Sequence, residues 1–168
     1  MLTRRDLIIK WTTFALASLL LLSLHTLLLG GLRLWGVRQF LPPLLVGVVA
    51  SMEDTRSGML YALVTGVLCD LCIAGVFPAV YTLSFTIAAL LCSILAKSVL
   101  QPGVICSFTV SALVFIVTDL LNMLGLFFTG RTQLRPMLML SLREMGASVI
   151  LLAVVHPLVR FLHKKFTI

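Results

Sequence analysis

The sequence predicts an all-α fold, a polytopic integral membrane bundle of six transmembrane helices, and three observations carry that prediction. Its 168 residues are 60% hydrophobic and 11% charged, where an ordinary soluble domain carries about 25% charge. Mean hydropathy is +1.14, and a soluble domain of about 150 residues would leave roughly 30% of its unfolded-chain surface in water, more than these polar side chains can cover. The charges also punctuate the chain at intervals close to the ~20 residues one helix needs to cross the hydrocarbon core.

The first span, about residues 11–32, follows Arg4, Arg5 and Lys10 and is closed by Arg33, Trp35 and Arg38, with Trp11 and Trp35 as interfacial anchors. Residues 40–52 form a short second span that opens on Pro42-Pro43 and is expected to be proline-bent; Glu53-Asp54-Thr55-Arg56 ends it. Residues 58–77 make the third span, with Asp70 inside it, and Pro78 separates it from the fourth, 79–96. Lys97, Gln101 and Pro102 break the chain before the fifth span, 103–128, which carries Asp119 and Asn122. The sixth, 137–162, holds Arg143-Glu144 near its start and is followed by His163-Lys164-Lys165. Residues 1–168 therefore read as a single integral membrane domain.

Charge counting fixes the number of crossings and the orientation. With six crossings, the N-terminus, the loops at Arg56 and Lys97 and the C-terminus share one side, with eight basic residues against four at Arg33, Arg38, Arg131 and Arg135. Cytoplasmic segments concentrate Lys and Arg, so both termini are expected in the cytoplasm; five crossings would erase the bias. The net charge of +7 is accordingly a topology signal, and its thin scatter argues against nucleic acid as a partner. Thr3-Arg4-Arg5-Asp6-Leu7 superficially resembles a twin-arginine signal, but the apolar run behind it is too long for a signal peptide and lacks a small-residue cleavage pattern.

Ionisable groups inside hydrocarbon cost at least about 2.5–3.5 kcal/mol each and face the bundle interior. In the six-span orientation Asp70, Asp119, Arg143, Glu144 and His25 all fall in one stratum of the outer half, Asp70 roughly 10 Å deep at 1.5 Å per residue. This predicts a structural polar layer in which Arg143 is the cation available to Asp70 or Asp119, with Asn122 one turn from Asp119 as a donor. Adjacent helical residues point about 100° apart, so Arg143 and Glu144 cannot both aim at one spot. The layer reads either as a structural clamp that fixes which helices are neighbours or as a polar pocket or proton site. His156, near the inner end of the sixth span, is assigned no role.

Gly58, Ala62, Gly66, Asp70 and Ala74 recur every four residues along one face of the third span, and small residues at that spacing let another helix approach closely. Ser84, Ala88, Cys92 and Ala96 repeat the pattern on the fourth. The two helices are expected to pack on one another, with a partner's helix on the Gly58/Gly66 face as the alternative. The four cysteines all lie in apolar runs, which argues against a disulfide-stapled secreted domain. Cys69-Asp70-Leu71-Cys72 lacks the second ligand pair or the accessible thiolate of a metal or redox site. No sequence pattern supports catalysis, a metal or a cofactor.

A proline-opened short second span, then Arg56-Ser57-Gly58, then Gly66-Val67-Leu68-Cys69-Asp70 followed by Gly75 and Ala79, resembles the rod shape-determining protein MreD family of bacteria. Only Gly58, Gly66 and Asp70 match motif positions; Ala62 replaces the middle glycine, and Val76-Phe77-Pro78 stands where Leu-Gly is more usual. The resemblance covers about a quarter of the chain. It implies a non-enzymatic inner-membrane scaffold of the elongasome, supporting lateral peptidoglycan synthesis and rod cell shape. The implied partner is MreC, a single-span periplasmic protein, and through it a class B penicillin-binding protein, RodA and MreB. It further implies a six-helix arrangement similar to the S component of energy-coupling-factor transporters. A vitamin-importing S component is the competing reading, weakened because the Ala-x-x-x-Ala coupling face is missing: Leu19 follows Ala15 and Leu21 follows Ala17. A membrane enzyme is the third.

Overall fold

A computed structural model describes residues 4–24, 36, 40–73, 77–98, 103–128, 130 and 134–167. Six helices follow one another: α1 (Arg4–Leu24), α2 (Pro42–Met52), α3 (Thr55–Cys72), α4 (Val80–Ser98), α5 (Val104–Phe128) and α6 (Leu134–Thr167). Among the described residues there is no strand. α4 and α5 are each long and apolar enough to cross a membrane, and α6 makes a third candidate if its two bent parts count as one span.

The sixth helix bends by 43° between Leu138–Ala153 and Val155–Phe161, and Pro157 sits inside it. A proline four residues past Ala153 lacks the N–H that would bond its carbonyl, and its ring crowds that carbonyl. The kink therefore falls where proline sterics put it.

α2 departs from expectation. Its prolines occupy the first two helical positions, where a missing N–H costs nothing and the fixed φ suits the helix, so they start the helix instead of bending it. Eleven residues reach about 16 Å at 1.5 Å per residue, about half of a hydrocarbon core of about 30 Å. Every residue from Leu41 to Ala50 is buried. An all-round apolar helix belongs in a core, and α3, α4, α5 and α6 all pack against this one.

Two crossings set the tightness of that core. A methyl group on Gly47 would sit 2.9 Å from the Ser111 Cα, so α2 meets α5 backbone to backbone. At Ser93 the hydroxyl donates to the Ala50 carbonyl at 3.2 Å, satisfying one of the acceptors that the end of α2 leaves open.

The third helix packs most extensively on the fourth. Gly66 is the reason: a Cβ there would meet the Thr82 Cα at 2.5 Å and the Tyr81 carbonyl oxygen at 2.9 Å. Gly58, two turns earlier, faces Ala50 of α2, with its would-be Cβ 3.1 Å from the Ala50 Cα. Ala62 between them is fully buried. Ala74, expected on the same face, lies outside the described residues. The small-residue face of α3 is thus occupied by the protein's own α2 and α4.

Expected to run to 77, the third span instead ends at Cys72, where Ile73 turns to extended backbone at φ −125° and ψ 124°. Asp70 is therefore in the last turn of α3, not several residues below its end. On the N-terminal side α1 is held by the buried ring of Phe14 and by a Ser18–Tyr61 hydroxyl pair at 2.6 Å. All four cysteines are free.

Candidate functional site

Asp70, in the last turn of α3, lies against the start of α4. One carboxylate oxygen accepts the Tyr81 backbone N–H at 3.0 Å. The other accepts the Thr82 N–H at 2.8 Å and the Thr82 hydroxyl at 2.6 Å. The first backbone N–H groups of a helix have no intrahelical acceptor, and the dipole there favours negative charge. Asp70 supplies both from a different helix. Ala79, at φ +63°, is the residue that turns the chain into this position.

Tyr81 extends the site. Its ring lies between Phe40 and Phe85, at centroid distances of 5.7 and 5.9 Å. Asp70, Asp119 and Glu144 are all within Coulombic reach of it, and Glu144 is within reach of Asp119. The Ser141 hydroxyl donates to the Asp119 carboxylate, linking α5 to α6. Asp119 and Glu144 are both half-buried. Three carboxylates from α3, α5 and α6 thus gather around the first turn of α4.

The cation expected to pair with them does not. Arg143 is exposed and forms no ion pair among the described residues. Glu144 takes the inward direction and Arg143 precedes it by one residue on the helix, which turns it outward. Hydroxyls and backbone N–H groups partner Asp70 and Asp119 instead. Asn122 is half-buried on α5 and makes no hydrogen bond to Asp119. His25 lies outside the described residues.

A second polar centre, at the opposite end of α3, was not legible in advance. Glu53, just past the end of α2, is 7% exposed and joins three helices. Lys10 of α1 donates to its Oε2 at 2.7 Å, and His163 Nδ1 of α6 lies 2.8 Å from its Oε1. The next residue, Asp54, accepts from Lys97 of α4 at 3.1 Å, and the same ammonium donates to Thr55 at 2.8 Å. Asp54 is fully exposed; the Lys97 hydrogen bond and the Thr55 backbone N–H hold its carboxyl below the usual 3.8.

In sequence these residues read as charges flanking spans, which is where most such residues meet water. The available hint was scarcity: with only six acidic residues in the chain, two adjacent ones at a helix end invite the question of what they bond.

Both centres tie helices together. Each of Asp70, Asp119, Glu53 and Asp54 has a donor from a different helix. Among the described residues no group of three or more His, Cys, Asp or Glu could hold a metal ion. Comparison with family models, curated proteins and solved structures finds no match for this chain.

Proposed function

We propose that this chain is a non-enzymatic membrane scaffold of the MreD kind. It crosses the bacterial cytoplasmic membrane six times with both termini inside, and it binds a single-span periplasmic protein like MreC. Through that partner it serves a class B penicillin-binding protein, RodA and MreB in lateral wall synthesis. The similarity to the S component of energy-coupling-factor transporters belongs to the same proposal.

One relationship supports this reading. The motif residues Gly66 and Asp70 act on the same two residues of α4, Tyr81 and Thr82: the glycine leaves the space for them and the aspartate accepts their N–H groups. A motif spent on bundle construction suits a protein that offers a shaped surface instead of chemistry. Large exposed apolar side chains on several helices, among them Leu20, Leu71, Ile105 and Phe128, suit contact with lipid and with a partner's helix.

The test is affinity purification of the tagged chain from native membranes. A copurifying single-span protein with a periplasmic domain is expected. An ATPase module with bound vitamin in its place overturns the proposal in favour of the importer. A reporter fused after Ile168 is expected in the cytoplasm.

A further inference from the structure

At the end of the bundle that carries Glu53, a cavity of about 290 Å³ opens between the end of α2, the start of α5 and the last turns of α6. Its size is at the small end of ligand sites, which run from about 300 to 1,000 Å³. Three residues of α6 line it: His156, Arg160 and His163, at spacings i, i+4 and i+7 that share one helical face. The bend before Pro157 tilts that face relative to the rest of α6.

The groups on the wall favour an anion. Arg160 is within Coulombic reach of His156, and guanidinium is the side chain best shaped for bidentate phosphate contact. Glu53, the acid that meets the wall through His163 at 2.8 Å, is also paired with Lys10 at 2.7 Å. That pair is neutral as a unit and leaves the Arg160 charge uncompensated. Gly103 and Cys106 on the wall belong to the entrance of the 25-residue α5, whose first N–H groups carry the positive end of its dipole.

His156 is the second, independent sign. It is 5% exposed, its Nδ1 pairs with the Ser107 hydroxyl at 2.8 Å, and its Nε2 has no hydrogen-bond partner among the described residues. A buried polar atom left unpaired costs about 1–3 kcal/mol. In the tautomer whose Nδ1 accepts from the Ser107 hydroxyl, the ring proton sits on Nε2, where a small adjustment of the ring would hand it to a ligand oxygen.

We infer that this cavity binds the phosphate group of an anionic phosphoester at the membrane surface, with Arg160 and His156 as its principal contacts. The inference does not depend on the scaffold reading. The same end exposes Asp54 and Lys97, which puts the cavity mouth within reach of both a lipid headgroup and a soluble phosphate ester.

Binding of dioleoyl phosphatidic acid to the detergent-purified full chain, followed by native mass spectrometry, tests it. Phosphatidylcholine serves as the neutral control and glycerol 3-phosphate as a soluble competitor. Arg160→Gln and His156→Phe are each expected to weaken phosphatidic acid binding at least tenfold. Arg56→Gln removes an exposed charge at the same end but outside the cavity and should leave binding within twofold. Competition by glycerol 3-phosphate assigns the site to the phosphate alone; its failure, with the Arg160 effect intact, assigns it to the lipid. Equal losses in Arg160→Gln and Arg56→Gln overturn the inference as surface charge only, and no loss in either overturns it outright. Arg160 is itself exposed, so its variant keeps the test valid if His156→Phe does not fold.

Discussion

The carboxylate of Asp70, in the last turn of α3, accepts both the backbone N–H and the hydroxyl of Thr82 in the first turn of α4, at 2.8 and 2.6 Å. A helix end and a helix start are thereby joined without a residue in common. Removing the acceptor leaves the Tyr81 and Thr82 N–H groups open in an apolar setting. Asp70→Leu should cost about 1–3 kcal/mol for each donor left unpaired, measured by unfolding in mixed micelles. Asp70→Asn should recover part of the loss, because its amide oxygen still accepts. Cys72→Ser, at an exposed position, should change little; equal tolerance of Asp70→Leu and Cys72→Ser would show that the bonds to α4 are incidental.

Gly66 and Gly58 rank by the room beside them. A Cβ on Gly66 would overlap backbone atoms at 2.5 Å, whereas on Gly58 it would press on Ala50 at 3.1 Å. Gly66→Ala should therefore force α3 and α4 apart and destabilise by about 1–3 kcal/mol or more, and Gly58→Ala by clearly less. A reversed order in the same unfolding assay would contradict the observed crossing.

Glu53 is expected to be the most sensitive of the acidic residues. Its loss strands the buried Lys10 ammonium, and breaking a buried pair from one side costs about 3–5 kcal/mol. Glu53→Ala should be much worse than Lys10→Met combined with Glu53→Leu, since the double variant leaves no ammonium stranded. Additive losses would mean that the two side chains do not interact.

Asp54 offers a pH signature outside the apolar segments. Its folded value lies below the usual 3.8, so the Lys97 contact contributes fully above that usual value and is lost as pH falls through the lower folded one. Full exposure keeps the effect on stability small. A carboxyl ¹³C titration of Asp54 should give a midpoint below 3.8 that returns toward it in Lys97→Met; a midpoint unmoved by that variant would remove Lys97 as the cause.

Ala79 holds a positive φ of 63°, which a side-chain Cβ disfavours by about 1–2 kcal/mol. Glycine relieves that strain but has more freedom to lose on folding. Ala79→Gly should still gain about 0.5–1 kcal/mol. Destabilisation instead would place the strain elsewhere in the turn.

Helix positions were legible because lipid demands long apolar stretches, and charges delimit them without any knowledge of packing. Small-residue spacing likewise pointed to Gly58 and Gly66 before their neighbours were visible. What hydropathy could not distinguish was lipid from protein as the surroundings of an apolar helix, so the enclosure of α2 by its neighbours was not legible. Depth counting was similarly blind to azimuth: it set Arg143 level with the carboxylates but not on the side they face. The Lys10–Glu53–His163 centre stayed hidden because its members are separated by 43 and 110 positions in the chain, and nothing local links them.

All four helices that enclose α2 are translated after it. An eleven-residue segment is too short to remain in the bilayer unaided, so at the moment it leaves the ribosome it has no stable home. Insertion of this chain must then be partly retroactive, with α2 recruited from the interface once α3 to α5 have supplied its walls. A cysteine at Val48 should accordingly be open to a water-soluble maleimide in a nascent chain arrested after Leu90, whose α3 and α4 are still inside the ribosome, and closed to it in the finished protein.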